Sequence, residues 1–446
     1  MTAVAILLPG IMGSVLQLGE EIVWPGPVSS LWLPYRKMKE LLRDDLVATD
    51  CIRTFAVTRQ YQTLIDDMVT CGFSEDDGTL IIGAYDWRKD NAKSAETLAE
   101  HLDTAVKGHG ADVEISLVAH SMGGLVARYY LESGQFNNRL GFGRVRRLLT
   151  LGTPHNGAAS ALRVVLGYEK RLFLNKDQVL QASSDPRYPA AYQLLPPAGE
   201  PFAWNGAADQ QFEPLNIYDV DIAKSLGLVD ANIEAAKRFR TGLDLARRPR
   251  SVRYFCFAGT RQTTATHILL RPAGGDRLRP DAIEEEDGGD GTVPTWSGFN
   301  SALQRQFVGG EHGTIYQNNS LRTVLATLLG KPGVLAGVPT HVEVAVRDRV
   351  VEPGDAVHAM VGFSHVVQDF SGVLTIERAQ TDDVTGMAFA FDTPQELFPI
   401  AYKGVGIETM SLLFDAPELP GAYRIAFRDE AGAIPSGYDE LIVQQP

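Results

Sequence analysis

The sequence predicts an α/β fold that is interrupted once by an insertion and followed by a separate all-β unit. Three observations lead there. From Ala3 to about Thr153, short apolar, β-branched runs alternate with amphipathic stretches, the pattern of a mostly parallel sheet with right-handed crossovers. From about Asn156 to Arg250 the alternation breaks into amphipathic pieces, such as Asp230 to Phe239, mixed with Pro-rich stretches such as Leu195-Pro196-Pro197. After Gly330-Lys331-Pro332-Gly333 the period drops to two, in short runs separated by turn residues, which indicates a β-sandwich. The expected boundaries are 1–331 for the α/β domain, with a cap inserted at about 156–250, and 338–446 for the sandwich.

Composition narrows the function. With 446 residues, 44% of them hydrophobic, the chain can bury a large core in two or three domains. A net charge of -14 argues against nucleic acid and against electrostatic capture by anionic lipid. Peripheral membrane contact, if made, must therefore be apolar and local. No run approaches the ~20 apolar residues of a bilayer-spanning helix. Residues Ala3–Leu8 are needed as a core strand, so no cleavable signal peptide is expected and cytoplasmic residence is the reading.

The elements follow in order. Ala3–Leu8 is a buried strand, and Pro9-Gly10-Ile11-Met12-Gly13 is the loop leaving it. Trp24, Leu31, Trp32, Leu33, Pro34, Tyr35 and Met38 are edged by Arg36, Lys37 and Lys39, and aromatics beside basic residues suit a lipid–water interface. Trp24, Trp32 and Leu33 are the candidates for a substrate-touching lid; the alternative is that the segment packs over the core. Val113–Val118 then reads as a strand and Gly124–Leu131 as a helix, which leaves Ser121 on the turn between them. Small residues at Ala119 and Gly123 let strand and helix approach closely around a strained serine.

A serine hydroxyl is a weak nucleophile at neutral pH. It needs a base, an acid to orient the base, and donors for the oxyanion. Asp290 follows the strand run Val252–Phe257 in a Gly-flanked loop, whereas the competitor Asp287 ends the solvated run Glu284-Glu285-Glu286. A calcium loop there would need more oxygen ligands than two aspartates supply. His312 sits after the short strand Gln306–Val308 and before a helix ending near Leu329, the place for the base. His120 adjoins the nucleophile, but neighbours on a sharp turn point apart, so it reads as packing or hydrogen bonding beside the site. His155, after Leu148–Leu151 and a Pro turn, reads as a structural histidine near the rim. Ser121, Asp290 and His312 fall in the order Ser, Asp, His that α/β-hydrolases use. The expected oxyanion donors are the backbone N–H groups of Met122 and Ile11. No metal or organic cofactor is implied.

Several segments together resemble the lecithin:cholesterol acyltransferase family, which includes lysosomal phospholipase A2 and phospholipid:diacylglycerol acyltransferases. They are Leu8-Pro9-Gly10-Ile11-Met12-Gly13-Ser14, Ala84-Tyr85-Asp86-Trp87-Arg88, Ala119-His120-Ser121-Met122-Gly123-Gly124, Leu151 to Gly157, Tyr192-Gln193-Leu194-Leu195-Pro196, and Asp290-Gly291-Thr292-Val293-Pro294 with His312. The serine motif is shared by many esterases; the Tyr-Asp-Trp-Arg and Tyr-Gln-Leu-Leu-Pro segments narrow it. The resemblance implies an α/β-hydrolase, the triad and oxyanion pair just named, and a structural role for Asp86 and Arg88. It also implies a disulfide near the lid, where Cys51 and Cys71 lie; without secretion both are expected reduced.

The C-terminal unit lies outside that resemblance. Its runs Thr340–Val346, Val373–Glu377 and Ala422–Phe427 alternate, and with no cysteine pair it is immunoglobulin-like by strand pattern only. It could bind a protein partner, position substrate or brace the hydrolase. The favoured function is a serine hydrolase or acyltransferase acting on lipid acyl esters through an acyl-enzyme. The alternatives are a carboxylesterase of soluble, non-lipid substrates and a binding protein on a hydrolase scaffold.

Overall fold

The computed structural model describes residues 2–26, 35–54, 60–207, 213–299, 304–331, 342–381, 388–429 and 437–445. Its centre is a six-stranded sheet of β1 (Ala3–Leu8), β2 (Leu80–Ile82), β3 (Glu114–His120), β4 (Val145–Leu151), β5 (Arg253–Thr260) and β6 (Gln304–Gly309). Their order across the sheet is β6-β5-β4-β3-β1-β2, and every pairing is parallel. Parallel strands need crossovers, and these bring helices onto both faces. Thus Val4, Ile6 and Leu8 of β1 join one core cluster, while Ala5 and Leu7 join the other. The helices that matter for the site are α1 (Asn91–His109), α2 (Met122–Glu132) and α3 (Asn319–Leu328). Asp90 caps α1 by accepting from Ala92 N, and Asn318 caps α3 by accepting from Leu321 N.

Two excursions depart from simple alternation. Residues Ser14–Leu18, Glu21–Trp24 and Val47–Cys51 form a small antiparallel sheet between β1 and β2. A long hairpin, Gln262–Pro272 and Leu278–Gly289, follows β5 and pairs with Ala203–Asn205 of the insertion. Asp290 therefore does not directly follow the β5 run. The hairpin leaves β5 and returns in register Gln262↔Gly289, which delivers Asp290 back to the end of the strand it left.

The insertion between β4 and β5 carries the helices Ser160–Val165, Lys176–Ser183, Val220–Leu226 and Asp230–Gly242. Its apolar cluster around Leu162, Tyr192, Phe202 and Ile233 is completed by Ile268 of the hairpin. Half-buried Arg240 ties it to the core by donating to the carbonyl of His155 at 3.0 Å, and braces it internally by donating to the carbonyl of Leu195 at 2.9 Å.

The all-β C-terminal unit is a seven-stranded sheet curled on itself. One 26-residue strand, Ala356–Thr381, makes the curl. Its first part pairs with Val342–Val346 and its second with Gly421–Asp429, and register shifts around Val367 mark the bend. Phe363, Phe370, Leu374, Ile425 and Phe427 fill the inside. Among the described residues no helix is long and apolar enough to cross a membrane.

Candidate active site

Ser121 stands where β3 turns into α2, with φ 52° and ψ -127°. A non-glycine residue holds positive φ only when its surroundings impose it. Here the surroundings are tight. A methyl group on Gly123 would come within 2.6 Å of the Pro9 carbonyl, and one on Gly124 within 2.0 Å of Thr153 Oγ1. Thr153 Oγ1 donates to the Ser121 carbonyl at 2.9 Å, and Ser121 N–H donates to the Leu151 carbonyl at 2.9 Å.

The structure brings His312 and Asp290 to this serine. His312 Nε2 lies 2.9 Å from Ser121 Oγ, and His312 Nδ1 lies 2.8 Å from Asp290 Oδ2. The other Asp290 oxygen accepts from Thr292 N–H at 3.0 Å and Val293 N–H at 2.7 Å. A carboxylate held this way places the proton on Nδ1 and leaves Nε2 as the acceptor toward serine. Burial disfavours a charged imidazole at His312, but the charge and hydrogen bond of Asp290, helped by Glu311, outweigh it and raise the His312 pKa. Gly152 and Gly259 make room: methyl groups there would meet Asp290 Oδ2 at 3.2 Å and Asp290 Cβ at 2.4 Å. Asp287 is not part of this group. It is exposed at the end of the hairpin, where it lines a polar cleft of about 840 Å³ facing the C-terminal sheet.

The loop after β1 passes directly over the serine. A methyl group on Gly10 would sit 2.8 Å from Ser121 Cβ and 3.3 Å from its Oγ. Four bonds fix this loop: Tyr85 hydroxyl to the Pro9 carbonyl at 2.6 Å, Gly10 N–H to the Tyr61 hydroxyl at 2.8 Å, Trp24 Nε1 to the Met12 carbonyl at 2.9 Å, and Gly13 N–H to the Gly10 carbonyl at 3.1 Å. Gly10 N–H is thereby spent on Tyr61, so Ile11 is the next amide in line. Met122 opens α2, where first-turn N–H groups have no partner within the helix.

Tyr61 was not singled out by any motif, yet it joins three parts of the site. Because its hydroxyl accepts from Gly10, it donates to His120 Nδ1 at 2.8 Å. His120 Nε2 then donates to the His312 carbonyl at 2.9 Å. Burial, with His312 nearby, pushes the His120 pKa down to about 3, so the ring is neutral as this chain requires. His155 is buried behind the site, with Arg128 Nη1 at 3.3 Å from its Nδ1, and Thr150 Oγ1 and Cys256 Sγ at 3.2 and 3.3 Å from its Nε2. It lies deeper than the rim. No disulfide joins Cys51, Cys71 or Cys256, and all three are buried.

An apolar cavity of about 140 Å³ opens beside the loop, lined by Ile11, Leu41, Trp87, Ala161, Leu174 and Leu194 among others. Arg88 shapes one wall. It forms a two-pronged pair with Asp86 at 2.8 and 2.6 Å and donates to the carbonyls of Leu41 and Arg43, while its guanidinium stacks 4.5 Å above Tyr188. Trp24 requires a correction: it is fully buried against Tyr35, Trp87 and Phe173. Its Nε1 donates to the Met12 carbonyl, and it packs over the core, the alternative weighed for this segment. Trp32 and Leu33 lie outside the described residues. Among the described residues no cluster of three His, Cys, Asp or Glu could hold a metal.

A parallel sheet, a strained serine at a strand-to-helix turn, and a cap inserted after the strand next to it define an α/β-hydrolase. Residues 42–228 match the family model described as lecithin:cholesterol acyltransferase, so the resemblance read from the motifs is borne out across the serine turn and much of the cap. The match stops short of Pro9–Ser14, Asp290 and His312. A search of the curated proteins finds no match. Among solved structures the chain is similar to a metagenomic carboxyl esterase, at 11% identity and TM-score 0.31, covering 70% of this chain and 64% of that one. It is similar to phospholipase PlaB from Legionella pneumophila in complex with thio-NAD, at 10% identity and TM-score 0.25, covering 99% and 89%. It is also similar to a chitin binding domain from Burkholderia pseudomallei, at 13% identity and TM-score 0.18, covering 22% and 57%. The chain thus spans less than two thirds of the esterase and of the chitin binding domain. At these scores none of the three informs the site.

Proposed function

We propose that this protein is a serine esterase that forms an acyl-enzyme from lipid acyl esters. The observation that carries the reading is the unbroken contact line from Ser121 through His312 to Asp290 beside an apolar cavity. Ser121 Oγ attacks the ester carbonyl carbon as its proton passes to His312 Nε2. The N–H groups of Ile11 and Met122 stabilise the oxyanion, and Asp290 stays ionised to hold the imidazolium. Collapse breaks the bond to the leaving alcohol, which takes the proton from His312. Water or a second alcohol then attacks the acyl-enzyme, gives its proton to His312, and releases an acid or a new ester while Ser121 recovers its proton. The apolar cavity, walled by Ile11 on one side and the cap on the other, is the place for the acyl chain.

A fluorophosphonate probe tests the nucleophile. The wild-type chain should label and Ser121→Ala should not, with at most a residual rate about 10³ to 10⁴ above water in the variant. Labelling of Ser121→Ala at another serine would overturn the assignment. Phospholipid, neutral lipid and soluble esters, each offered with and without an acceptor alcohol, then sort hydrolysis from transfer. Cleavage confined to short soluble esters would make it a soluble-substrate carboxylesterase, and neither labelling nor turnover would leave a binding protein on this scaffold.

A further inference from the structure

A bridge of hydrogen bonds runs from the C-terminal sheet to the loop that carries His312. Arg349 lies between the strands Val342–Val346 and Val350–Val351. Its Nη1 donates to Gln60 Oε1 at 3.3 Å, and its Nη2 pairs with Asp439 Oδ1 at 2.9 Å. Gln60 passes the contact on. Its Nε2 donates to the Gly313 carbonyl at 3.4 Å, and its own carbonyl accepts from the Tyr316 hydroxyl at 2.7 Å. Glu311 holds the same turn by accepting from Gly313 N–H at 2.8 Å. Two consecutive residues, Gln60 and Tyr61, thereby secure two consecutive carbonyls of the base loop, Gly313 directly and His312 through His120. The guanidinium of Arg349 is largely buried, and among the described residues its Nε has no partner. Burying a cation is costly, and an apolar side chain would fill the space without that cost.

We propose that Arg349 is a positioning residue for His312, so that the C-terminal unit, acting through Gln60, sets the loop that carries the base. The proposal rests on the esterase reading above. Electrostatics supply a second signature. Glu311 faces Arg349, His312, Asp439 and Asp290; burial pushes its pKa up to about 7, while Arg349 and His312 pull it down. His312 in turn faces Asp290, Glu311 and Arg171. Loss of Arg349 keeps Glu311 protonated to higher pH, withdraws its negative charge from His312, and so lowers the His312 pKa.

The test compares the whole wild-type chain with Arg349→Met, Arg349→Lys, Gln60→Met and the double variant R349M/Q60M. Active sites are counted with fluorophosphonate, and p-nitrophenyl butyrate is the substrate. Turnover per site should fall roughly tenfold to a hundredfold in R349M and Q60M, as small misplacements of a base do. KM should stay within about twofold, since the lost interaction acts in the transition state. The acid limb of R349M should move to lower pH, R349K should recover part of the turnover, and the double variant should be little worse than the poorer single. Unchanged turnover per site in both single variants, or losses that multiply in the double, overturns the proposal. R349M leaves Asp439 unpaired; if it does not fold, Q60M decides by the same turnover criterion. A wild-type chain that takes no label overturns the esterase reading and this proposal with it, whereas a labelled wild type with unaltered variants overturns this proposal alone.

Discussion

At the scale of single residues, the two aspartates near the base are separated by partners. Asp290 accepts from His312 and two backbone amides, while Asp287 faces an open cleft. Asp290→Asn should lower kcat by about 10⁴, the size of effect expected when the base loses its tautomer. Asp287→Asn should keep most activity, and the reverse ranking would reassign the acid. Since Asp290 raises the His312 pKa, the acid limb of kcat/KM in the wild type should lie above the ordinary histidine value. A limb at or below that value would show that burial wins. Tyr61→Phe removes one hydroxyl but strands two groups, Gly10 N–H and His120 Nδ1. It should destabilise by about 1–3 kcal/mol for each buried group left unsatisfied, seen in denaturant melts, and should lower kcat because the loop after β1 is no longer tied to the loop that carries His312.

At the scale of elements, the turn from β3 to α2 depends on two glycines for opposite partners. Gly123 faces the backbone of Leu8 and Pro9, and Gly124 faces Thr153. Gly123→Ala should push the loop after β1 away from the serine and cost activity, since backbone cannot rotate aside as a side chain can. Gly108→Ala is the matched control. Nothing lies within 4 Å of a methyl group there, and as a residue within α1 it should gain up to about 1 kcal/mol from helix propensity. Thermal melts and ester turnover on both variants would separate the two outcomes; equal activity would mean that the loop yields.

At the scale of the molecule, the cavity belongs to no single element: Ile11 comes from the loop after β1, Leu41 from the short helix Met38–Leu41 between strands of the small antiparallel sheet, Trp87 from the segment after β2, and Ala161 and Leu174 from the cap. Filling it with Ala161→Phe should cut kcat/KM for a long-chain ester roughly tenfold or more while leaving an acetate ester within about twofold, as expected when uniform binding of the acyl chain is lost. Equal effects on both esters would move the acyl chain elsewhere. Much of this assembly was legible in advance. The runs Ala3–Leu8, Val113–Val118 and Gln306–Val308 announced strands by apolar, β-branched content, and the Gly-flanked Ser121 and Asp290 announced turns. The hairpin from Gln262 to Gly289 was not legible, because Thr-rich and Glu-rich stretches that pair along one solvated face look like loop. Trp24 misled for a related reason: an aromatic near basic residues suits an interface and a core alike, and only the surrounding Tyr35, Trp87 and Phe173 decide. Tyr61, Gln60 and Arg349 carried no local signal, since their partners lie 51 to 289 residues away.

If Ser121 is the nucleophile as proposed, the parallel order of the central sheet also sets when it becomes reactive. Ser121 and His312 are 191 residues apart, and the histidine arrives behind β6, the last strand of the central sheet to be made and one of its two edges. On a ribosome adding about 5–20 residues per second, that interval is roughly ten to forty seconds. Throughout it, β1, β2 and β3 already exist and the serine turn can form, but no imidazole stands beside it. Under the proposed reading, the growing chain is harmless to the esters around it until that edge of the central sheet has docked.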